Sequence, residues 1–219
     1  MARTHLDHIT VTTHCLATGM AFVGEVLGVA PQMGGEHPRM GTHNALLRLG
    51  DALFLEVIAP NPEAVAPSRP RWFDLDRLTP QSLPTLSTWV VRTTDIRSAA
   101  ATASEPLGLV EPMSRGALNW LITIPEDGSV ALQGAAPALI EWHTDTHPAA
   151  KLEDKGLSLA KLEIAHPEPE RVTRLLSALA LDAPVSVVPT TSAARLAAHI
   201  QTSQGLRVLS APVAASVRS

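Results

Sequence analysis

Leu6-Asp7-His8-Ile9-Thr10-Val11-Thr12 is an alternating, β-branched run, and Leu53-Phe54-Leu55-Glu56-Val57-Ile58-Ala59-Pro60 is a second one. Between them, residues 17–27 carry apolar side chains at helical spacing and Gly28 supplies a C-terminal stop. Residues 44–49 read as a further strand, joined to the one at Leu53 by Gly50-Asp51-Ala52, a short turn of hairpin composition. Residues 1–60 therefore spell a β-α-β-β unit.

Working outward, residues 60–84 contain Pro60, Pro62, Pro67, Pro70, Pro80 and Pro84, too many for a continuous helix or an interior strand. Residues 61–85 are read as a connector. The same order then restarts over 86–148. A strand at 86–92 is followed by Asp95 as N-cap of a helix reaching Ala103, then strands near 109–113, 119–124 and 138–143. A third, degenerate β-α-β-β unit is expected over 157–212, with a helix from Pro169 to Leu181. The fold class that follows is α+β: repeated β-α-β-β(-β) modules forming a cupped mixed sheet with helices on the outside.

Side chains alternate along a strand, so Glu56 is expected on one face with Phe54 and Ile58, within an otherwise apolar run. Glu141 stands in the same way inside Ala138-Leu139-Ile140-Glu141-Trp142-His143. His8 is expected to share the concave face with Leu6, Thr10 and Thr12, leaving Ile9 and Val11 to the helices. Inward carboxylates are costly unless they bind a cation, share protons and hydrogen bonds, or end in solvent, and the sequence allows all three. One imidazole and two carboxylates would suit Zn, Mn, Fe, Co or Ni.

Composition narrows the function classes. Cys15 is the only cysteine, so neither an intrachain disulfide nor a cysteine-based zinc framework is available. With no secretory leader pattern before Leu6, a cytoplasmic location is expected. Apolar runs end well short of the ~20 residues of a membrane span. A formal charge of -4 with scattered Lys and Arg offers nucleic acid no basic stripe. There is no tyrosine, no phosphate-binding glycine loop and no Gly-x-Ser-x-Gly elbow, so no nucleotide or organic cofactor is expected. The expected partner is a small-molecule ligand, with a homodimer as a further possibility.

Leu6-Asp7-His8-Ile9, the turn Leu49-Gly50-Asp51, the run from Phe54 to Pro60 and Leu139-Ile140-Glu141-Trp142 together resemble the glyoxalase-like domains of the vicinal-oxygen-chelate superfamily. The resemblance implies paired modules whose first and last strands hold a divalent metal. His8 and Glu56 match the first module's ligands, and Glu141 matches the last-strand ligand or base of the second. Thr88, a poor ligand, stands at the fourth position. It also implies a lyase, isomerase or dioxygenase type of enzyme acting on adjacent oxygens, or a metal-free binding protein using the same cup. Candidate substrate contacts are Arg39 and Asn44, from the polar stretch at 34–44, and His143. His37 and His147 are weaker alternatives. Trp120 and Trp142 are expected to pack in the core.

Overall fold

The computed structural model describes residues 3–211; Met1, Ala2 and Pro212, at the ends of the expected first and third units, lie outside them. The first module is β1 (Thr4–Thr12), α1 (Leu16–Leu27), β2 (Gln32–His37), β3 (Thr42–Gly50) and β4 (Leu53–Pro60). The second repeats it as β5 (Thr85–Arg92), α2 (Ile96–Thr102), β6 (Leu109–Arg115), β7 (Leu118–Ile124) and β8 (Ala138–Trp142). Their strands form one curled mixed sheet in the order β2-β3-β4-β1-β5-β8-β7-β6. β1 and β5 pair antiparallel at its centre, and each lies parallel to the last strand of its own module. The α+β cupped sheet expected from the repeated pattern is what the chain forms.

The remaining elements are β9 (Ser158–His166), α3 (Pro169–Ala178), β10 (Leu181–Asp182), β11 (Val185–Pro189), β12 (Arg195–Thr202) and β13 (Gly205–Ser210). The element order resembles the first two modules, but the pairing does not. β9 sits between β11 and β12, and the two-residue β10 leaves to pair with β1. This four-stranded sheet covers the convex face of the large one. Ile9, Val11, Leu55, Val57, Trp89, Val91 and Leu139 are fully buried in one cluster with Leu162, Ile164, Ala198 and Ile200.

Local sequence accounts for the helices. In α1, Leu16, Gly19, Val23 and Leu27 are buried at helical spacing, and Gly28 ends the helix at φ 73 with its N–H on the Gly24 carbonyl. Gly19 has to be small, because a Cβ there would lie 2.6 Å from Val57 Cγ1. Asp95 caps α2 by accepting from the Ser98 N–H at 3.0 Å.

Two features differ from the expected pattern. β2 falls within a stretch expected to be loop. It is an edge strand carrying Gly34 and Gly35, and a Cβ on Gly34 would meet Asn44 Oδ1 at 2.2 Å, so the glycine makes room for a side chain of the cup. β1 carries a bulge: Leu6 pairs with Val91 and His8 with Val90, leaving Asp7 as an extra residue. Leu6 consequently joins Ile9 and Val11 in the convex core instead of sharing the face of His8.

Candidate functional site

The concave face holds a second apolar cluster that includes Met40, Ile58, Val90, Trp120, Ile122 and Ile140, interrupted on one side by polar groups. There, His8 from β1, Asn44 from β3, Glu56 from β4, His37 from β2 and Arg115 from β6 line a cavity of about 40 Å³. The connector closes it: Trp72 and Phe73, stacked at 5.3 Å, reach into the cup.

Hydrogen bonds fix how these groups present themselves. Asp7 is fully buried and its carboxylate has three donors around it. These are His8 Nδ1 at 2.7 Å, Trp142 Nε1 at 2.9 Å and His147 Nε2 at 2.9 Å. His147 Nδ1 accepts from the Ala149 N–H, so its Nε2 carries the proton given to Asp7. Burial alone would raise the Asp7 carboxyl, but the hydrogen bonds from His147 and His8 outweigh it and hold the group well below the ordinary carboxylate range. An ionised Asp7 requires a proton on His8 Nδ1, so in the neutral ring Nε2 is the acceptor. Nε2 lies 3.8 Å from Glu56 Oε2, and the ring is stacked on Phe54 at 4.6 Å.

Glu56 is held from its other side. Asn44 Nδ2 donates to Oε1 at 2.6 Å and the Thr10 hydroxyl donates to Oε2 at 3.4 Å. Asn44 Oδ1 in turn accepts from Gly35 N–H and from Arg115 Nη1 at 3.2 Å. Arg115 Nη1 also faces His37 Nε2 at 3.4 Å, and among the described residues Nη2 and Nε of Arg115 meet no acceptor. Burial pushes His37 down to about 3, with the Arg115 charge adding to it, so this imidazole is neutral. Burial also lowers Arg115, partly offset by Glu56. The cup thus presents two acceptors and one cation to the same cavity.

Of the residues singled out in the sequence, His8, Glu56 and Asn44 come together. Glu141 does not. Its neighbours Ile140 and Trp142 take the cup face of β8, so alternation turns Glu141 to the helix side, where Oε2 accepts from the Ile96 N–H at 2.8 Å. His143, half exposed, follows it outward and bonds Glu141 Oε1 at 2.8 Å. Glu141 therefore serves the N-terminus of α2. Glu141→Gln is expected to lower stability by about 0.5–1 kcal/mol in denaturant titrations and leave ligand binding in the cup unchanged. Arg39 also lies outside the cavity: it pairs with Glu111 and donates to the Pro112 carbonyl at 2.6 Å, tying the β2–β3 turn to β6.

Asp7, Arg115 and the connector aromatics were missed. The bulge that turns Asp7 inward leaves no mark in the alternation, and Arg115 reads as an ordinary turn residue. Trp72-Phe73 did leave a signal, two adjacent large aromatics inside a proline-rich stretch of a chain with few aromatics.

The residues present do not fit a divalent metal. His8 Nε2 and Glu56 Oε2 are two protein donors, where open zinc-type sites take about three from the protein. Asn44 is engaged at both ends, Thr88 lines a separate cavity, Glu141 faces away, and the Arg115 cation stands beside the pair. Among the described residues no three His, Cys, Asp or Glu side chains are grouped to hold an ion.

The sequence profile described as a glyoxalase-like domain matches residues 6–180, most of the chain. The protein belongs to the glyoxalase-like domain family. No curated protein matches it. Among solved structures, this glyoxalase-like chain is similar to a hypothetical protein from Staphylococcus aureus, with 14% identity, 87% of each chain covered and a TM-score of 0.62. It is also similar to methylmalonyl-CoA epimerase from Mycobacterium tuberculosis, with 17% identity over 63% of this chain and 85% of that one at a TM-score of 0.41. A hypothetical protein from Bacillus halodurans C-125 shares 14% identity over 69% and 99% of the two chains at 0.44. At these identities the likeness concerns the fold. No helix among the described residues of the glyoxalase-like chain is long and apolar enough to cross a membrane.

Proposed function

We propose that this glyoxalase-like protein is a small-molecule enzyme that moves a proton next to a carbonyl group, without a metal, on a neutral substrate carrying two adjacent oxygens. The observation that carries this reading is that the acceptor pair His8 Nε2 and Glu56 Oε2 and the Arg115 guanidinium line one small cavity. With Asp7 ionised and the Glu56 carboxyl group beside His8, the single guanidinium has no charge to spare for a substrate carboxylate, which favours a neutral ligand.

The roles follow from the donors and acceptors. A substrate hydroxyl donates to Glu56, and the neighbouring carbonyl oxygen accepts from Arg115. His8 Nε2 takes the proton from the carbon beside the carbonyl. The C–H electron pair becomes the carbon–carbon double bond of an enolate, and the carbonyl electron pair moves to oxygen, where Arg115 meets the charge. The imidazolium, stabilised by Asp7, returns the proton to the same carbon, giving exchange, or to its neighbour while Glu56 takes the hydroxyl proton and passes it to the enolate oxygen, giving isomerisation.

Hydroxyacetone in D2O tests the reading by proton NMR. The wild type is expected to exchange the protons of the hydroxymethyl carbon above the buffer rate, with EDTA present. His8→Gln and Arg115→Gln are each expected to lose about a hundredfold or more. Exchange at the buffer rate, or exchange indifferent to His8→Gln, would sink it. The second reading, a binding protein without turnover, is favoured by the aromatic walls that Trp72, Phe73, Trp120 and Trp142 give the cavity, and predicts Arg115-dependent binding with no exchange.

A further inference from the structure

The connector does more than close the cup. A second cavity of about 20 Å³ lies beside the first, and Trp72 and Phe73 line both. The first chamber carries the polar groups. The second is walled by Leu107, Ile124, Val130, Ala136 and Ala138, with Thr88 and Thr123 at its side. The two chambers adjoin at a stacked pair of aromatic side chains, the charged groups standing in the first and only hydroxyls among apolar walls in the second. At about 40 Å³ the polar chamber holds roughly three water molecules, space for a small oxygenated head and not for a flat group attached to it.

The pair is held less firmly than its burial suggests. The Trp72 indole N–H is buried and finds no acceptor among the described residues. Phe73 and Asp74 both have left-handed backbone, φ 60 and 56, a conformation that aspartate tolerates and that is unfavourable for the bulky Phe73. The anchors lie at the margins of the pair: Arg71 on Asp76 and on the Gly41 carbonyl, and Asp74 N–H on the Gly128 carbonyl at 2.8 Å. A strap fixed at its margins and strained at its middle can give up the aromatic pair without unfolding the modules.

We infer that the Trp72–Phe73 stack occupies the place of the substrate's own apolar body. This deepens the proton-transfer reading and rests on it. The substrate class is an α-hydroxy ketone, or similarly enolisable ketone, whose carbonyl bears a flat, preferably aromatic group. The oxygens lie at Glu56 and Arg115, and the flat group displaces Phe73 and Trp72 to lie against Ile124, Val130 and Ala138.

Two probes separate head from body: hydroxyacetone, and 2-hydroxyacetophenone, which carries the same head on a phenyl ring. Calorimetry with the wild type is expected to show the phenyl ketone binding about tenfold or more tightly, since it buries a ring. The phenyl ketone, and not hydroxyacetone, is expected to expose Trp72 to acrylamide quenching, read as the difference from Trp72→Phe. Phe73→Ala removes half of the plug and is expected to tighten phenyl ketone binding by about a further tenfold, well beyond any change for hydroxyacetone. Gly128→Ala keeps both aromatics and pushes the strap outward, because its Cβ would stand 2.1 Å from the Arg71 carbonyl oxygen. It is expected to act in the same direction should Phe73→Ala fail to fold. If hydroxyacetone is exchanged in a His8-dependent way while the phenyl ketone shows neither tighter binding nor Trp72 exposure, the inference falls and the proton-transfer reading stands. If neither ketone binds to the wild type or to either variant, both fall.

Discussion

Replacing Asp7 with Asn is expected to leave a folded protein that has lost about a thousandfold of its proton-exchange rate, although Asp7 itself never reaches the substrate. An amide has one acceptor oxygen. If that oxygen stays with Trp142 and His147, the new NH2 faces His8 Nδ1, which must then accept. The His8 proton moves to Nε2, and the atom that pointed a lone pair into the cup points a hydrogen there. Stability is expected to fall by about 2–4 kcal/mol, since charge-assisted hydrogen bonds become neutral ones. Asp7→Ala leaves three N–H groups without an acceptor, that of His8 buried and those of Trp142 and His147 part-buried, at up to about 1–3 kcal/mol each, a large share of the stability of a domain; it should be far less stable than Asp7→Asn. Nitrogen-15 NMR of the His8 ring reports the tautomer directly. An Asp7→Asn protein with normal exchange and an unchanged tautomer would show that Asp7 holds structure only.

Acidification is expected to destabilise the protein from near-neutral pH downward, through His37. In the unfolded chain this imidazole protonates near 6.5, whereas in the fold burial and Arg115 hold it to about 3. Between those values the unfolded state binds the extra proton, so stability falls as pH falls, at up to about 1.4 kcal/mol per pH unit. Across the full window the loss is of the order of 4–5 kcal/mol. Above 6.5 both states are neutral and the contribution is flat. Asp7 acts in the same direction at lower pH, because its folded carboxyl is depressed: its contribution is present above the ordinary carboxylate range and lost as pH falls through it. Urea titrations at pH 7, 6 and 5 on the wild type and His37→Gln isolate the histidine. The variant should lose most of the slope, and parallel slopes would refute the assignment.

The fold was legible because its signal is periodic. β1, β3, β4 and their counterparts in the second module lie within a residue or two of the alternating runs, and Gly28 ends α1 where the sequence places a stop. β2 was hidden by its glycines, and the third unit kept the element order of a module while changing its pairing, which no local pattern records. The candidate site was legible only in part. His8, Glu56 and Asn44 converge, whereas Glu141 shows the limit of reasoning by analogy between strands: β4 turns its glutamate inward and β8 turns its glutamate outward. Asp7 and Arg115 depend on a bulge and on the meeting of opposite sheet edges, both long-range outcomes.

The bulge at Asp7 works as a phase shifter. Before it, Leu6 is in step with the convex core, and after it Ile9 and Val11 are in step again, three residues on instead of two. One surplus residue therefore lets two neighbours, Asp7 and His8, look into the same cup while apolar residues on either side stay in the core. Deleting Asp7 would do more than remove a carboxylate. The residues on its two sides could no longer both keep their phase, so either His8 or Leu6 would change faces. In this strand the length of the chain is itself part of the chemistry. A lineage could gain or lose the imidazole–carboxylate pair in one insertion or deletion, with every other side chain of the cup left as it was.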